Sequence, residues 1–382
     1  MKQVKQTILV LVTIPLFIAN TCAEAPPTQR QPAEVRPQVQ AQLQPVFQQP
    51  LLRFKTPKKL DLCGEPVPLE RRDVWERLDK QFLLSLSREA QVILWIKRSR
   101  EYFPVIEKEL KQRSLPDDLK YLAVAESDLN KYALSPKGAA GAWQFMKNTG
   151  DRFGLDKQEW RDQRYCFAKA TNAALDYLAL LHEQFGNWML AMAAYNCGEG
   201  RLARELEEQN AESYVDLSLP QETEEYLFRI MAVKIILSNP DAYGFTLSDD
   251  EYYLPCAAQA VELTLPGSLH IRALAEAAKT SFRNIKELNP ELRGYYLPPG
   301  QHVLLIPAEG EEGFTQRLSE RIAAAEEGMR TLYVVRRGDT LSAIAAKLGV
   351  PIEKLLLWNG MNSAHLVRTG QKLVYYRSYS RK

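Results

Sequence analysis

The chain has 382 residues, 46% of them hydrophobic, which is enough for two or three domains with cores of their own and excludes a disordered or fibrous protein. Its 49 basic and 47 acidic side chains nearly cancel and form no basic stripe, so no nucleic-acid partner is expected. The four histidines, His182, His270, His302 and His365, lack metal-ligand spacing, so neither a metal nor a cofactor is expected.

Lys2 and Lys5 precede an apolar run from Ile8 to Ala19, the pattern of a secretory signal and too short for a membrane span. Small residues at Thr21 and Ala23 place the expected cleavage after Ala23, giving a signal peptide over 1–23. Ala19-Asn20-Thr21-Cys22 is a poor lipid-attachment box, which favours a soluble exported protein over a lipoprotein. Residues 24–60 are rich in proline and glutamine and read as an extended linker. A helical lead-in over 61–114 follows: Asp73 is expected to cap a helix carrying Val74, Leu78 and Phe82, and two further helices run from Arg88 to Arg100 and from Pro104 to Arg113.

Residues 115–245 read as an all-α domain. Its first helix opens at Leu115-Pro116-Asp117-Asp118, where the aspartates suit the positive end of the helix dipole. Leu119, Leu122, Ala123 and Glu126 then fall at i, i+3, i+4 and i+7, which puts Glu126 on the buried stripe. A carboxylate against an apolar wall is disfavoured when charged, so its pKa should rise toward neutrality and make it a general acid. Asp128 is two residues on and turned away, so it reads as a surface or capping residue.

A glycine-rich loop, Gly138-Ala139-Ala140-Gly141-Ala142-Trp143-Gln144-Phe145-Met146, lets backbone approach a ligand closely. Trp143 or Phe145 is expected to line a sugar subsite, with an ordinary glycine turn and a core tryptophan as the alternative, and Gln144 offers a donor and an acceptor. Helices are expected over Ala168 to Phe185, Trp188 to Asn196 (capped by Asn187) and Glu222 to Leu237. Tyr195 and Asn196 end the second of these, where a phenol and an amide together can orient a carboxyl group. Glu222 and Tyr226 open the third, and Glu222 reads as structural.

The remainder repeats itself loosely, each copy reading strand, helix, helix, strand: a module over 256–308, a linker with a surface helix over 309–331, and a second module over 332–377. Cys63, Cys166, Cys197 and Cys256 remain after signal cleavage, and the sequence does not choose among their pairings. Cys197 reads as a small buried hydrophobe, because no histidine is placed to activate it.

Glu126-Ser127, Gly138 to Met146, Ala193-Ala194-Tyr195-Asn196-Cys197-Gly198-Glu199-Gly200 and Leu219-Pro220-Gln221-Glu222-Thr223-Glu224-Glu225-Tyr226 resemble, in order and spacing, the lytic murein transglycosylases of the goose-type lysozyme-like group. Tyr333-Val334-Val335-Arg336-Arg337-Gly338-Asp339-Thr340-Leu341, with Trp358-Asn359, resembles a LysM domain of βααβ fold that binds N-acetylglucosamine polymers. The copy over 256–308 lacks the Gly-Asp-Thr turn and reads as degenerate. The expected fold is therefore mainly α, a lysozyme-like all-α catalytic domain followed by small α+β modules of LysM type.

The resemblance implies that Glu126 is the single catalytic acid/base, that Ser127, Gln144, Tyr195, Asn196 and Tyr226 position it or the sugar, and that Asp339, Thr340 and Asn359 serve LysM glycan binding. It implies peptidoglycan strands as the partner, cleavage of the bond from N-acetylmuramic acid to N-acetylglucosamine with a 1,6-anhydro product, a periplasmic place near the outer membrane or wall, and a monomer. The alternatives are a water-using muramidase of the same fold, and an inactive wall-binding protein.

Overall fold

The structure, a computed structural model, describes residues 54–265, 267–361 and 367–376, with backbone alone at 324–330 and 376. The expected signal peptide and most of the expected linker lie outside the described residues. Contacts divide the chain into Met1–Pro50 and Leu51–Lys382, and everything described belongs to the second unit.

Strands β1 (Asp61–Leu62) and β2 (Glu65–Pro66) form a hairpin turned by Cys63 and Gly64, both at positive φ. In α1 (Arg72–Leu86), Val74, Leu78, Phe82 and Leu86 recur every fourth residue and are all buried. Asp73 is not its cap: Arg71 holds that position, and the Asp73 carboxylate instead pairs with the Arg71 and Arg77 guanidinium groups at 3.0 Å each. The two helices expected next are one, α2 (Glu89–Gln112), with Pro104 inside it. Pro104 lies on the exposed face, so the carbonyl it leaves unpaired can be hydrated. The buried stripe of Val92, Trp95, Ile96, Tyr102, Ile106 and Leu110 continues on both sides and outweighs the break.

A 3-10 turn (Asp117–Leu119) leads into α3 (Lys120–Ser127). Then come α4 (Lys147–Arg152), a 3-10 turn (Gln163–Tyr165), α5 (Phe167–Phe185), α6 (Trp188–Cys197), α7 (Glu199–Glu208) and α8 (Gln221–Ser238). Asn187 caps α6 by accepting from the Leu190 amide at 3.0 Å, as its position predicts. The Glu65 carboxylate also accepts from the Trp188 and Met189 amides, fastening the hairpin to the positive end of the same helix. Helices α4 and α7, absent from the sequence reading, bury only Gly150 and Leu202 and so lack an apolar stripe that periodicity can detect. Helix α8 is buried almost all round and packs on α1, α3 and α6, which makes it the axis of the domain.

The first βααβ module comprises β3 (Ala258–Leu265), β4 (Leu269–His270), α9 (Ile271–Ala277), α10 (Phe282–Leu288), β5 (Tyr296–Leu297) and β6 (Gly300–Pro307). Strands β3 and β6 pair antiparallel from Ala258 opposite Pro307 to Leu265 opposite Gly300. The segment expected to be a linker holds α11 (Phe314–Met329), which seats Phe314 and Leu318 in this module's core and is therefore part of it. The second module is β7 (Arg330–Val334), α12 (Leu341–Leu348), α13 (Ile352–Trp358) and β8 (Lys372–Tyr376), around a core of its own that includes Val335, Leu341, Ile344, Leu355 and Leu373. All four cysteines of the described residues are free thiols. No helix of the described residues is long and apolar enough to cross a membrane.

Candidate active site

Leu119, Leu122 and Ala123 are fully buried, and Glu126 follows them on the same face at the last turn of α3, half-buried. The helix stops because Asp128 and Leu129 turn left-handed, with φ of 59 and 57°. That costly turn is held from α2: Trp95 Nε1 donates to the Asp128 carboxylate at 2.7 Å and Arg98 to its carbonyl at 2.8 Å. Asp128 is thus a cap, committed away from Glu126.

Tyr226, buried on α8, donates its hydroxyl to Glu126 Oε1. Burial pushes the Glu126 carboxyl up from 4.5 to about 7; the Tyr226 bond and the Arg229 charge pull it down, and the Glu222 charge pushes it up. The sequence reading missed Arg229. Glu222, Tyr226 and Arg229 stand at i, i+4 and i+7 of one helix, so a single face of α8 sets the proton affinity of Glu126, and that spacing was available to find Arg229. Glu222 itself is exposed, 3.7 Å from Lys137.

Ser127 donates to the Ala142 carbonyl at 2.7 Å, tying the helix end to the glycine-rich loop. Gly141 has φ of 79°, and a Cβ there would lie 1.9 Å from the Arg164 carbonyl oxygen, so the loop passes only with glycine. Trp143 and Phe145, expected at a sugar subsite, are 0 and 2% exposed; Trp143 Nε1 is spent on Thr171 Oγ1 at 3.0 Å. Both belong to the core: Trp143 is bonded to Thr171 of α5, and the Phe145 ring meets Tyr195 of α6 edge-on at 6.0 Å. Gln144, half-buried and left-handed with φ of 49°, donates to the Gly141 carbonyl at 2.9 Å.

Tyr195, at the end of α6, donates to the Trp143 carbonyl at 2.8 Å, and burial followed by the Glu126 charge raises its phenol well above the usual range. The same causes act on Tyr226. Asn196 is half-buried, and its side chain makes no hydrogen bond among the described residues. The site therefore gathers Glu126, Tyr226 and Tyr195, with Ser127 and Gln144 building the loop beside them.

The three residues expected at the LysM surface have internal tasks. Asp339 accepts from the Arg336 amide and the Tyr333 hydroxyl, both at 2.8 Å, and Thr340 caps α12 through the Ala343 amide. The Asn359 amide donates to the Leu355 and Val374 carbonyls and accepts from the Val374 amide. These bonds give all three a part in building the module, and Thr340 stays exposed while Asp339 and Asn359 are half-buried.

Residues 103–217 match the transglycosylase SLT domain, and residues 271–306 and 333–374 each match the LysM domain, so the copy without the Gly-Asp-Thr turn is matched too. The chain is 32% identical over 292 residues to membrane-bound lytic murein transglycosylase D of Escherichia coli K12, covering 72% of this chain and 63% of that protein. It is 31% identical over 103 residues to N-acetylmuramoyl-L-alanine amidase sle1 of Staphylococcus epidermidis, 27% of this chain and 29% of the amidase. The crystal structure of the 70 kDa soluble lytic transglycosylase of Escherichia coli aligns with a TM-score of 0.33 at 21% identity, over 51% of this chain and 34% of that one. Residues 103–217 thus match a transglycosylase SLT domain, followed by two LysM matches, and the chain spans about 63% of the length of the curated transglycosylase it resembles.

Proposed function

We propose that the chain cleaves the glycan of peptidoglycan between N-acetylmuramic acid and N-acetylglucosamine without water, leaving 1,6-anhydro ends, while its LysM domains hold it to the wall. The observation that carries this reading is a single half-buried carboxyl, Glu126, lifted to about 7 and hydrogen-bonded by Tyr226 on one oxygen, with Asp128 committed elsewhere. Glycosidases that use water as the nucleophile need a second carboxylate at a defined separation. Here the substrate supplies the attacking oxygen.

Near neutral pH a protonated Glu126 donates to the glycosidic oxygen as the bond to the muramyl anomeric carbon breaks. The resulting carboxylate takes the proton of the muramyl C6 hydroxyl, whose oxygen bonds to the same carbon, so the proton lost in the first step is regained in the second. The Tyr226 hydroxyl stabilises the intervening carboxylate. Gln144 and Asn196 are the residues we assign to the sugar, because the Gln144 carbonyl oxygen and the whole Asn196 amide remain available. The protein would act as a monomer in the periplasm, at the wall or outer membrane.

Mass analysis of fragments released from purified sacculi tests this directly. Products one water lighter than hydrolysed muropeptides are expected; hydrated ends would reassign the chain as a muramidase, and no release would leave it a wall-binding protein.

A further inference from the structure

The first LysM module is joined to the catalytic domain by backbone pairing. Residues 156–163 form a small hairpin, with the Gln158 amide donating to the Arg161 carbonyl and Gln163 to that of Asp156. Residues 291–293 of the module add to its edge: the Asp162 amide donates to the Glu291 carbonyl at 2.8 Å and the Arg293 amide to the Trp160 carbonyl at 2.7 Å, flanking a bridge between Arg161 and Leu292. Trp160 packs on the module's core and meets the His302 ring edge-on at 5.2 Å. Lys131 donates to the Glu287 carbonyl of α10 at 3.0 Å, a second tie close to the Glu126 helix.

The same hairpin carries a buried ion pair that points the other way, into the site. Arg164 grips the Asp162 carboxylate with Nε and Nη2 at 2.9 and 2.8 Å, the two side chains being 3 and 5% exposed. Its Nη1 donates to the Gly138 carbonyl at 2.8 Å and the Phe145 carbonyl at 2.9 Å. Those carbonyls stand at the two ends of the glycine-rich loop, whose Ala140 and Phe145 pair with each other and whose Ala142 receives Ser127. A planar guanidinium is the side chain that serves one carboxylate and two carbonyls at once; an ammonium has neither the reach nor the donors.

We propose that Arg164 is a positioning residue through which the docked LysM module sets the loop bearing Gln144 beside Glu126. Asp162 is the joint: its amide belongs to the module and its carboxylate to Arg164. The module is then a working part of the catalytic domain as well as a wall-binding element. The kinetic part of the test rests on the transglycosylase reading; the structural part does not.

The test compares Arg164→Lys, Trp160→Ala, His302→Ala and the Arg164→Lys/Trp160→Ala double variant in the full chain, by amide hydrogen exchange and by release from sacculi. Arg164→Lys is expected to speed exchange at Ala140 and Phe145 about tenfold, with α5 and α8 unchanged. It should lower kcat about tenfold with KM within about twofold. Trp160→Ala and His302→Ala, which loosen docking from opposite sides, should speed the same two amides, and the double variant should fall short of the product of its singles. Unchanged exchange at Ala140 and Phe145 in both docking variants would overturn the coupling, as would acceleration spread evenly over α5 and α8. Should the native chain release nothing from sacculi, the functional reading fails while the exchange comparison still decides the coupling.

Discussion

The Glu126 carboxyl of the helical domain and the asparagines that end the second helix of each LysM module have opposite fates. In the modules, Asn289 and Asn359 occupy equivalent places at the end of the second helix, and each amide closes the same circuit: back to the helix (Ile285 or Leu355 carbonyl) and across to the last strand (Leu305 or Val374, both groups). In the helical domain, Glu126 receives one phenol and the pull of the Arg229 charge, and burial, the largest influence, still opposes its ionisation. A satisfied polar group rigidifies the fold; an under-served one stores proton affinity for chemistry.

The sharpest break of that contrast is Glu126→Gln. Release from sacculi should fall by about 10³ or more, while sedimentation of the protein with sacculi stays unchanged. A carboxyl whose folded pKa lies above its unfolded value keeps its proton longer when folded, so it destabilises the fold as pH rises from 4.5 to about 7. The glutamine variant should therefore be more stable than the native chain at pH 8, by an amount on the order of 2 kcal/mol and with a higher melting temperature, and should match it at pH 4. A lower melting temperature at pH 8 would place Glu126 among the satisfied groups.

Next in size, Tyr226→Phe removes a donor that favours the carboxylate. The fall in rate on the alkaline side should move to higher pH, with a loss of about tenfold at the optimum, read from a pH profile of release. An unshifted profile would detach Tyr226 from the proton.

Asn289→Ala and Asn359→Ala sharpen the other half of the comparison. Each should cost about 2 kcal/mol in its own module, seen by calorimetry. Only Asn289→Ala should also slow release, since its module is the one docked beside Arg161. Equal kinetic effects from both would erase the distinction between a docked and an independent module.

The smallest effect is one of sign. Burial raises the Glu291 carboxyl at the docked interface, so acidification relieves that interface and rising pH weakens it. The Arg336 amide and the Tyr333 hydroxyl hold Asp339 below the usual carboxylate range, so the turn of the second module is intact above that range and loosens as pH falls through it. Amide exchange in the two modules across pH 3 to 6, a span of about three units, should show opposite trends.

Much was legible in the sequence because it is local. A period of 3.6 residues sufficed to put Glu126 on a buried stripe and to mark α5, α6 and α8, and the βααβ repeat was visible in two stretches. Asn187 declared itself a cap for the same reason: the bond spans three residues. Where packing across the chain competes with a local signal, reading failed. Pro104 did not break α2, Asp73 went to two arginines, Trp143 turned into the core, and the segment holding Phe314 joined a module instead of linking two.

The sequence by itself determined most of the elements and pointed to the carboxylate we propose as reactive, since side-chain period, glycine placement and proline are properties of neighbours in the chain. Tertiary structure alone decided how strongly Glu126 holds its proton, and through Asp162 and Arg164, which residues stand behind its loop. Desolvation and Coulomb attraction depend on distance in space, and Tyr226, Arg229 and the docked LysM module are near Glu126 and its loop only once the chain has folded.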